Sequence, residues 1–175
     1  NSRLVIVEPE EVSQFDFKVP GKHQRENLAC AVAVARELGV NKTEIKQIIK
    51  DFPGLEGRLQ YVRTVEGIKI YNDNNATTPE ATVAGIRALS KVTYRDKPKL
   101  ILICGGSDKR LSLHQLIKTI KKSCKAVVTI PGSGTTRLLE HKIVAHKAKD
   151  LKNAIVKALE IGEEGDTILF SPAFA

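Results

Sequence analysis

The chain has 175 residues and a formal net charge of +8, with 42% hydrophobic and 27% charged residues. That is the composition of a globular protein, and it excludes a disordered or fibrous chain. No apolar run approaches the roughly 20 residues of a membrane span, and no secretory leader is visible.

Three cysteines, Cys30, Cys104 and Cys124, cannot all pair with one another, and no CxxC occurs. They read as reduced thiols in a cytoplasmic protein. The chain contains no methionine and ends inside the segment SPAFA, so it reads as a piece of a longer protein. Its length suits one domain, or one domain plus an appendage.

In chain order, RLVIV (residues 3–7) predicts a strand followed by an acidic loop. Residues 1–20 hold two basic residues against four acidic ones, so the positive excess lies beyond them. From Glu26, the apolar residues Leu28, Ala31, Val32, Ala35 and Leu38 recur at helical spacing, and Gly39 closes the run. Asn41 reads as the N-cap of a second helix with Ile45, Ile48, Ile49 and Phe52 inward. This helical piece, residues 1–52, reads as a satellite unit. FPGLEGR, with one Pro and two Gly, marks the boundary to a second domain over 53–175.

LQYVRTV and IKIYN flank Glu66-Gly67 and predict a β-hairpin. Thr78 and Pro79 then open a helix over 79–90, with Thr78 as cap and Pro79 in the first turn. Strand LILIC (100–104) leads to loop GGSDK and a helix with Leu113, Leu116, Ile117 and Ile120 inward. Strand AVVTI (126–130) leads to PGSG and a short helix from Thr135. A weak strand over Ile143–Ala145, a helix over Asp150–Ile161 and strand TILF (167–170) complete the series. Continuous apolar strands of four or five residues are what a parallel sheet covered on both faces requires. The fold class is therefore α/β: a doubly wound, mostly parallel, Rossmann-like sheet with an N-terminal hairpin.

In such a sheet ligands collect at the carboxyl ends of strands. Four segments fall there: NDNNATTP, GGSDK, PGSG and SPAFA. In the first, Asp73 suits a metal-bound phosphate or a ribose, and Thr77 or Thr78 can donate to a carboxylate. The same residues also make an ordinary capped turn. In GGSDK, two glycines allow close approach of an anion and Lys109 adds a point charge, although a tight strand-to-helix turn has the same composition. Arg58, beside the boundary, suits a phosphate or a structural ion pair.

Neither GxxxxGK[ST] nor GxGxxG follows any strand, which counts against a self-sufficient phosphate loop or a dinucleotide-binding module. Lys118, Lys121, Lys122 and Lys125 form one helical face. With only 5% aromatic residues, a solvated surface explains them better than a nucleic-acid site. His114, His141 and His146 have no metal-ligand spacing, and Cys104 reads as a core residue.

GKHQREN, FPGLEGRLQYV, GIKIYNDNNATTPEAT, LILICGGSDK and GDTILFSPAFA, in that order, resemble the Mur ligase family from about Lys18 to Ala175. YNDNNATTP followed by GGSDK is similar to its D-glutamate-adding branch. The resemblance implies the end of a central ATPase domain over 1–52 and a C-terminal domain, cut short at its end, over 53–175. It implies a part of an ATP-dependent amide ligase of peptidoglycan biosynthesis, with UDP-N-acetylmuramoyl-L-alanine, D-glutamate and ATP as partners. The nucleotide-sugar carboxylate is activated as an acyl phosphate before the amine attacks.

By the same resemblance, Lys109, Thr77 and Thr78 bind the D-glutamate carboxylates. Gln24 and Asn27 lie near the adenine, and Arg58 and Asp73 near the ATP phosphates and ribose. No catalytic residue and no metal ligand falls in this chain, the Mg2+ ligands lying mostly elsewhere, so the chain alone is expected to be inactive, cytoplasmic and monomeric. Other Mur-type or folylpolyglutamate synthase-type ligases, and a non-catalytic nucleotide-binding module, are the alternatives. Three positions depart from the family's usual residues: Gln24 and Asn75, commonly Asn and Lys, and Gly57, commonly His.

Overall fold

The computed structural model describes residues 4–90 and 97–175. The chain divides into two compact units, Asn1–Gly54 and Leu55–Ala175.

In the first unit, a 3₁₀ turn at Pro9–Val12 precedes helices α1 (Lys22–Glu37) and α2 (Lys42–Asp51). Asn41 Oδ1 accepts a hydrogen bond from Glu44 N–H, so α2 carries the expected cap. A small core forms around Val12, Phe15, Ala29, Val32, Ile45 and Ile49. Such a short pair of helices buries only a narrow stripe. Ile48 and Leu38, expected inward, are 64% and 78% exposed. α1 also starts four residues before the expected Glu26, which places Gln24 and Asn27 on one helix. The strand expected over 3–7 is not found: residues 4–7 carry no regular structure, and Arg3 lies outside the described residues. A strand needs a neighbour to satisfy its backbone groups, and no other strand exists among the described residues of this unit.

The second unit is a six-stranded sheet in the order β1-β2-β6-β3-β4-β5. Its strands are β1 (Gln60–Val65), β2 (Ile68–Asn72), β3 (Leu100–Cys104), β4 (Cys124–Thr129), β5 (His146–Lys147) and β6 (Thr167–Phe170). β1 runs antiparallel to β2, and every other pairing is parallel. Glu66 and Gly67 form the two-residue turn, with φ of 49° and 77°. Two consecutive left-handed residues match the twist of a tight hairpin, which is why glycine follows glutamate there. β1 is an outer strand, and its register shifts between Tyr61 and Arg63.

The remaining helices are α3 (Pro79–Leu89), α4 (His114–Ser123), α5 (Ser133–Glu140) and α6 (Leu151–Ile161). Alternate residues of the central strands point to opposite faces. Leu100, Leu102, Cys104 and Leu169 join α3, α4 and α5 through Ile86, Leu116, Ile120 and Leu138. Ile101, Ile103 and Ile168 join Ala154 and Ala158 of α6 on the other face. Apolar layers on both sides explain the unbroken hydrophobic runs of β3 and β6.

Two details differ from the sequence expectation. α4 ends at Ser123, so Lys125 belongs to β4 and not to a lysine-bearing helix face. Its ammonium lies 2.6 Å from Asp166 Oδ2 and 3.0 Å from Glu163 Oε2. Burial works against its charge, but the bonds and charges of Asp166 and Glu163 outweigh that and raise its pKa. The weak strand falls at His146–Lys147, not at Ile143–Ala145, because only Val128 and Thr129 of β4 offer it a ladder.

The segment after β6 crosses the carboxyl ends of its neighbours. Ser171 N–H donates to Ile103 O, and Gly105 N–H donates to Pro172 O. Ala173 N–H donates to Ala76 O, and Ser107 and Ala175 exchange both backbone bonds at 2.7 and 3.0 Å. Phe174 is 2% exposed and packs where a side chain on Gly134 of α5 would stand. Beneath this crossing, Asp73 Oδ1 accepts from Leu59 N–H at 3.0 Å, and Oδ2 accepts from the Ser171 hydroxyl at 3.1 Å. Ser171 Oγ also lies 2.8 Å from Thr82 Oγ1 of α3.

Three tests follow from this packing. Ser171→Ala strips partners from two buried groups, Asp73 and Thr82, and is expected to lower the unfolding free energy by about 1–3 kcal/mol in urea titrations. An unchanged midpoint would contradict the network. Burial also pushes the Cys104 thiol up to about 12 and raises Cys124, the latter with help from Cys104. The folded state therefore holds these protons where the unfolded chain releases them. Stability is complete below the ordinary thiol range and falls above about pH 9, by about 1.4 kcal/mol per pH unit for each thiol. In the folded protein, iodoacetamide should label the exposed Cys30 and spare the other two; equal labelling of all three would refute this.

Candidate functional site

The carboxyl edge of the sheet brings together loops that are far apart in sequence. After β2, Asn72 Oδ1 accepts from Asn74 N–H, which makes a local turn. Asn75 N–H donates to Gly57 O, and Asn75 Nδ2 donates to Glu56 O, so this loop interlocks with the chain before β1. Gly57 has φ of 69°, and a Cβ there would run into the Asn74 side chain. Glycine at 57 and the amides at 74 and 75 therefore form one matched arrangement.

Thr78 caps α3, its hydroxyl oxygen accepting from Ala81 N–H at 3.3 Å, and Pro79 occupies the first turn. Acceptance by the oxygen leaves the hydroxyl proton able to point outward. Thr77, one residue earlier, is half-buried. Its Oγ1 lies 3.0 Å from the Lys109 ammonium, across 32 residues of sequence. Thr77, Thr78 and Lys109 are thus collected at one corner of the edge.

The other expected residues have different places. Arg58 is exposed, next to Leu59, whose φ of 47° is left-handed. Asp73 is only 7% exposed, with both oxygens bonded inside the unit. It faces inward as a brace for Leu59, not outward as a group ready to meet a nucleotide. Gln24 and Asn27 lie three residues apart on α1 in the first unit, half-buried and exposed respectively. Among the described residues, no group of three or more His, Cys, Asp or Glu stands where it could hold a metal ion.

Several participants were not singled out in the sequence. Asp108 sits between Ser107 and Lys109, and its Oδ1 lies 2.9 Å from Arg137 Nη1 of α5. Asp108 N–H donates to Ser133 Oγ at 3.0 Å. Ser133 and Arg137 are four residues apart, on one face of α5, but that spacing is common to any helix, and no local signal marked them as partners of the GGSDK loop. A cleft of about 540 Å³ adjoins this pair, lined by Leu113, His114, Lys118, Arg137 and His141, and it does not include Thr77 or Lys109.

What this corner can do is hold an anion. It offers a fixed ammonium, two hydroxyl donors and glycine-rich backbone at the edge of a rigid sheet. No helix of the described residues is long and apolar enough to cross a membrane.

Residues 57–174 match the family model of the Mur ligase, glutamate ligase domain. The chain is 35% identical over 167 residues to the UDP-N-acetylmuramoylalanine–D-glutamate ligase of Roseiflexus sp. (strain RS-1), which spans 91% of this chain and 34% of that protein. With the same ligase of Lactobacillus acidophilus it is 36% identical over 168 residues, again 91% and 34%. The chain thus spans about a third of the length of these relatives.

Its fold is similar to that of the UDP-N-acetylmuramate–alanine ligase of Thermotoga maritima. The TM-score is 0.71 at 18% identity, covering 91% of this chain and 36% of that one. A bifunctional folylpolyglutamate synthase/dihydrofolate synthase from Yersinia pestis, complexed with AMPPNP and Mn ion, gives 0.70 at 20% identity, covering 92% and 38%. With two thirds of the chain inside the family model, the chain belongs to the Mur ligase family, through its glutamate ligase domain.

Proposed function

We propose that this chain is the amino-acid-holding part of an ATP-dependent ligase that joins D-glutamate to UDP-N-acetylmuramoyl-L-alanine in peptidoglycan biosynthesis. The observation that carries the reading is the 3.0 Å approach of Lys109 Nζ to Thr77 Oγ1, which gathers two carboxylate-seeking groups from separate loops. In the reaction, the carboxylate of the nucleotide sugar is activated as an acyl phosphate at the expense of ATP. The amine of D-glutamate attacks it, and the tetrahedral species collapses to the amide with loss of phosphate. The work of this chain is placement. A dicarboxylate held at a rigid edge presents its amine in one direction, which removes much of the entropic barrier of a two-body reaction.

In this reading Lys109 supplies the charge that grips one carboxylate, and the Thr77 and Thr78 hydroxyls donate to it or to its neighbour. Arg58 serves the ATP phosphates, and Asp73 acts by fixing the turn at Leu59 beside it. Gln24 and Asn27 are assigned to the adenine. Arg58 suits a triphosphate because its planar donors can pair two oxygens at once. Mg2+ supplies charge neutralisation to the ATP phosphates when bound. The described residues offer it no cluster of ligands, so no step is assigned to it here. The ligase is read as a cytoplasmic monomer, and residues 1–175 by themselves as inactive.

Kinetics of the full ligase test this. Lys109→Ala and Thr77→Ala are each expected to raise the KM for D-glutamate, Lys109→Ala by about tenfold or more from the loss of a charged hydrogen bond. The KM for ATP should stay near the parental value. Parental KM values for D-glutamate in both variants would refute the site. Amide formation by residues 1–175 alone would refute the division of labour.

A further inference from the structure

Lys109 reaches Thr77 from a loop held by contacts with other segments and not by regular structure of its own. Residues 105–113 lie between β3 and α4 with no regular structure, and Lys109 itself is exposed. A lysine side chain carries about 2 kcal/mol of rotamer entropy, so its ammonium is only as well placed as the backbone beneath it. That backbone has an unusual path. Gly105 and Gly106 have φ of 134° and 139°, and Arg110, which is not glycine, has φ of 59°. A left-handed arginine is an unfavourable conformation, retained only where neighbouring contacts fix it.

The contacts that fix it come from α5. Gly134 N–H donates to Gly106 O at 2.9 Å, and Asp108 N–H donates to Ser133 Oγ at 3.0 Å. Arg137 Nη1 stands 2.9 Å from Asp108 Oδ1 and 3.3 Å from Oδ2, which aligns the carboxylate. The same Oδ1 accepts from Arg110 N–H at 2.9 Å, which closes the turn around Lys109. The Asp108 side chain is 19% exposed and that of Arg137 33%, so the pair is partly sheltered from water.

We propose that Arg137 is a positioning residue for amino-acid binding: through Asp108 it sets the loop that presents the Lys109 ammonium beside Thr77. The proposal rests on the reading of Lys109 as a carboxylate-binding residue. Two physical effects combine. The first is geometric: Asp108, held by Arg137, keeps Arg110 N–H bonded and the turn closed. The second is electrostatic. Asp108 is next in sequence to Lys109 and could compete for its ammonium or repel an incoming dicarboxylate. Arg137 turns that carboxylate toward α5 and compensates its charge, which leaves the Lys109 charge available to the ligand.

Steady-state kinetics of the full ligase separate these ideas, with thermal melts confirming that each variant folds. Arg137→Ala is expected to raise the KM for D-glutamate about tenfold, the scale of one charge-assisted hydrogen bond. The KM for ATP should not move. Asp108→Asn should raise it by a smaller factor, because it loosens the turn but also removes the competing charge. The double variant should bind D-glutamate better than Arg137→Ala alone, a non-additivity that a general loss of packing would not produce. Lys109→Ala is the control for the underlying reading.

If Lys109→Ala raises the KM and Arg137→Ala leaves it at the parental value, the inference fails while the reading stands. A double variant no better than Arg137→Ala also overturns it. If Lys109→Ala has a parental KM, the reading itself fails and the inference with it. Should Arg137→Ala not fold, Asp108→Asn decides: a raised KM supports the proposal and a parental one overturns it.

Discussion

A charge removed from water must find partners inside the protein, and Asp73 finds them in segments far apart in the chain. One oxygen takes the backbone N–H of Leu59, just before β1, and the other takes the hydroxyl of Ser171, just after β6. Ser171 in turn meets Thr82 on α3. Hydrogen bonds to a charged group are among the stronger ones, and leaving any of these groups without a partner costs more than making the bond contributes. The hairpin, α3 and the segment after the last strand are thereby tied to one point. The exposed corner above that point owes its shape to a group that barely reaches the surface.

Two kinds of rigidity meet at that corner. The strands deliver their loops in a fixed order, because β3 and β6 are covered on both faces and cannot shift without opening the core. The loops are then tied to one another by backbone bonds, with Ser107 and Ala175 paired in both directions and Gly134 bonded to Gly106. The side chain of Lys109 is then restrained at its tip by Thr77 and at its base by the turn around Asp108. Placement of an ammonium to within a fraction of an ångström requires both ends to be held.

Much of the architecture was legible in the sequence because it follows from local chemistry. Glu66-Gly67 read as a tight hairpin turn, Thr78-Pro79 as the start of a helix, and unbroken runs such as LILIC as strands buried on both sides, and each stands so in the fold. That the loops carrying Thr77 and Lys109 meet was legible from their place at the carboxyl ends of parallel strands. Other features were decided by partners that no local pattern reveals. Asp73 read as a ligand-facing carboxylate, yet its partners lie 14 and 98 residues away and turn it inward. Lys125 continued a helical lysine stripe on paper, but the chain enters β4 at Cys124 and the ammonium meets Asp166 instead. RLVIV had the composition of a strand and no neighbour to pair with among the described residues of its unit. Arg137 and Asp108 went unnoticed because an ion pair between a loop and a helix leaves no periodic trace.

The hairpin carries one more consequence. β1 is the outermost strand of its side of the sheet, with Tyr61 and Val62 about half exposed, and such a border is a template for uncontrolled strand addition between molecules. The irregularity between Tyr61 and Arg63 interrupts the row of free donors and acceptors midway and adds twist, while Arg63 places a cation beside it. An added strand would lose step at that irregularity, so the hairpin that begins the sheet also makes its border a poor template for further growth.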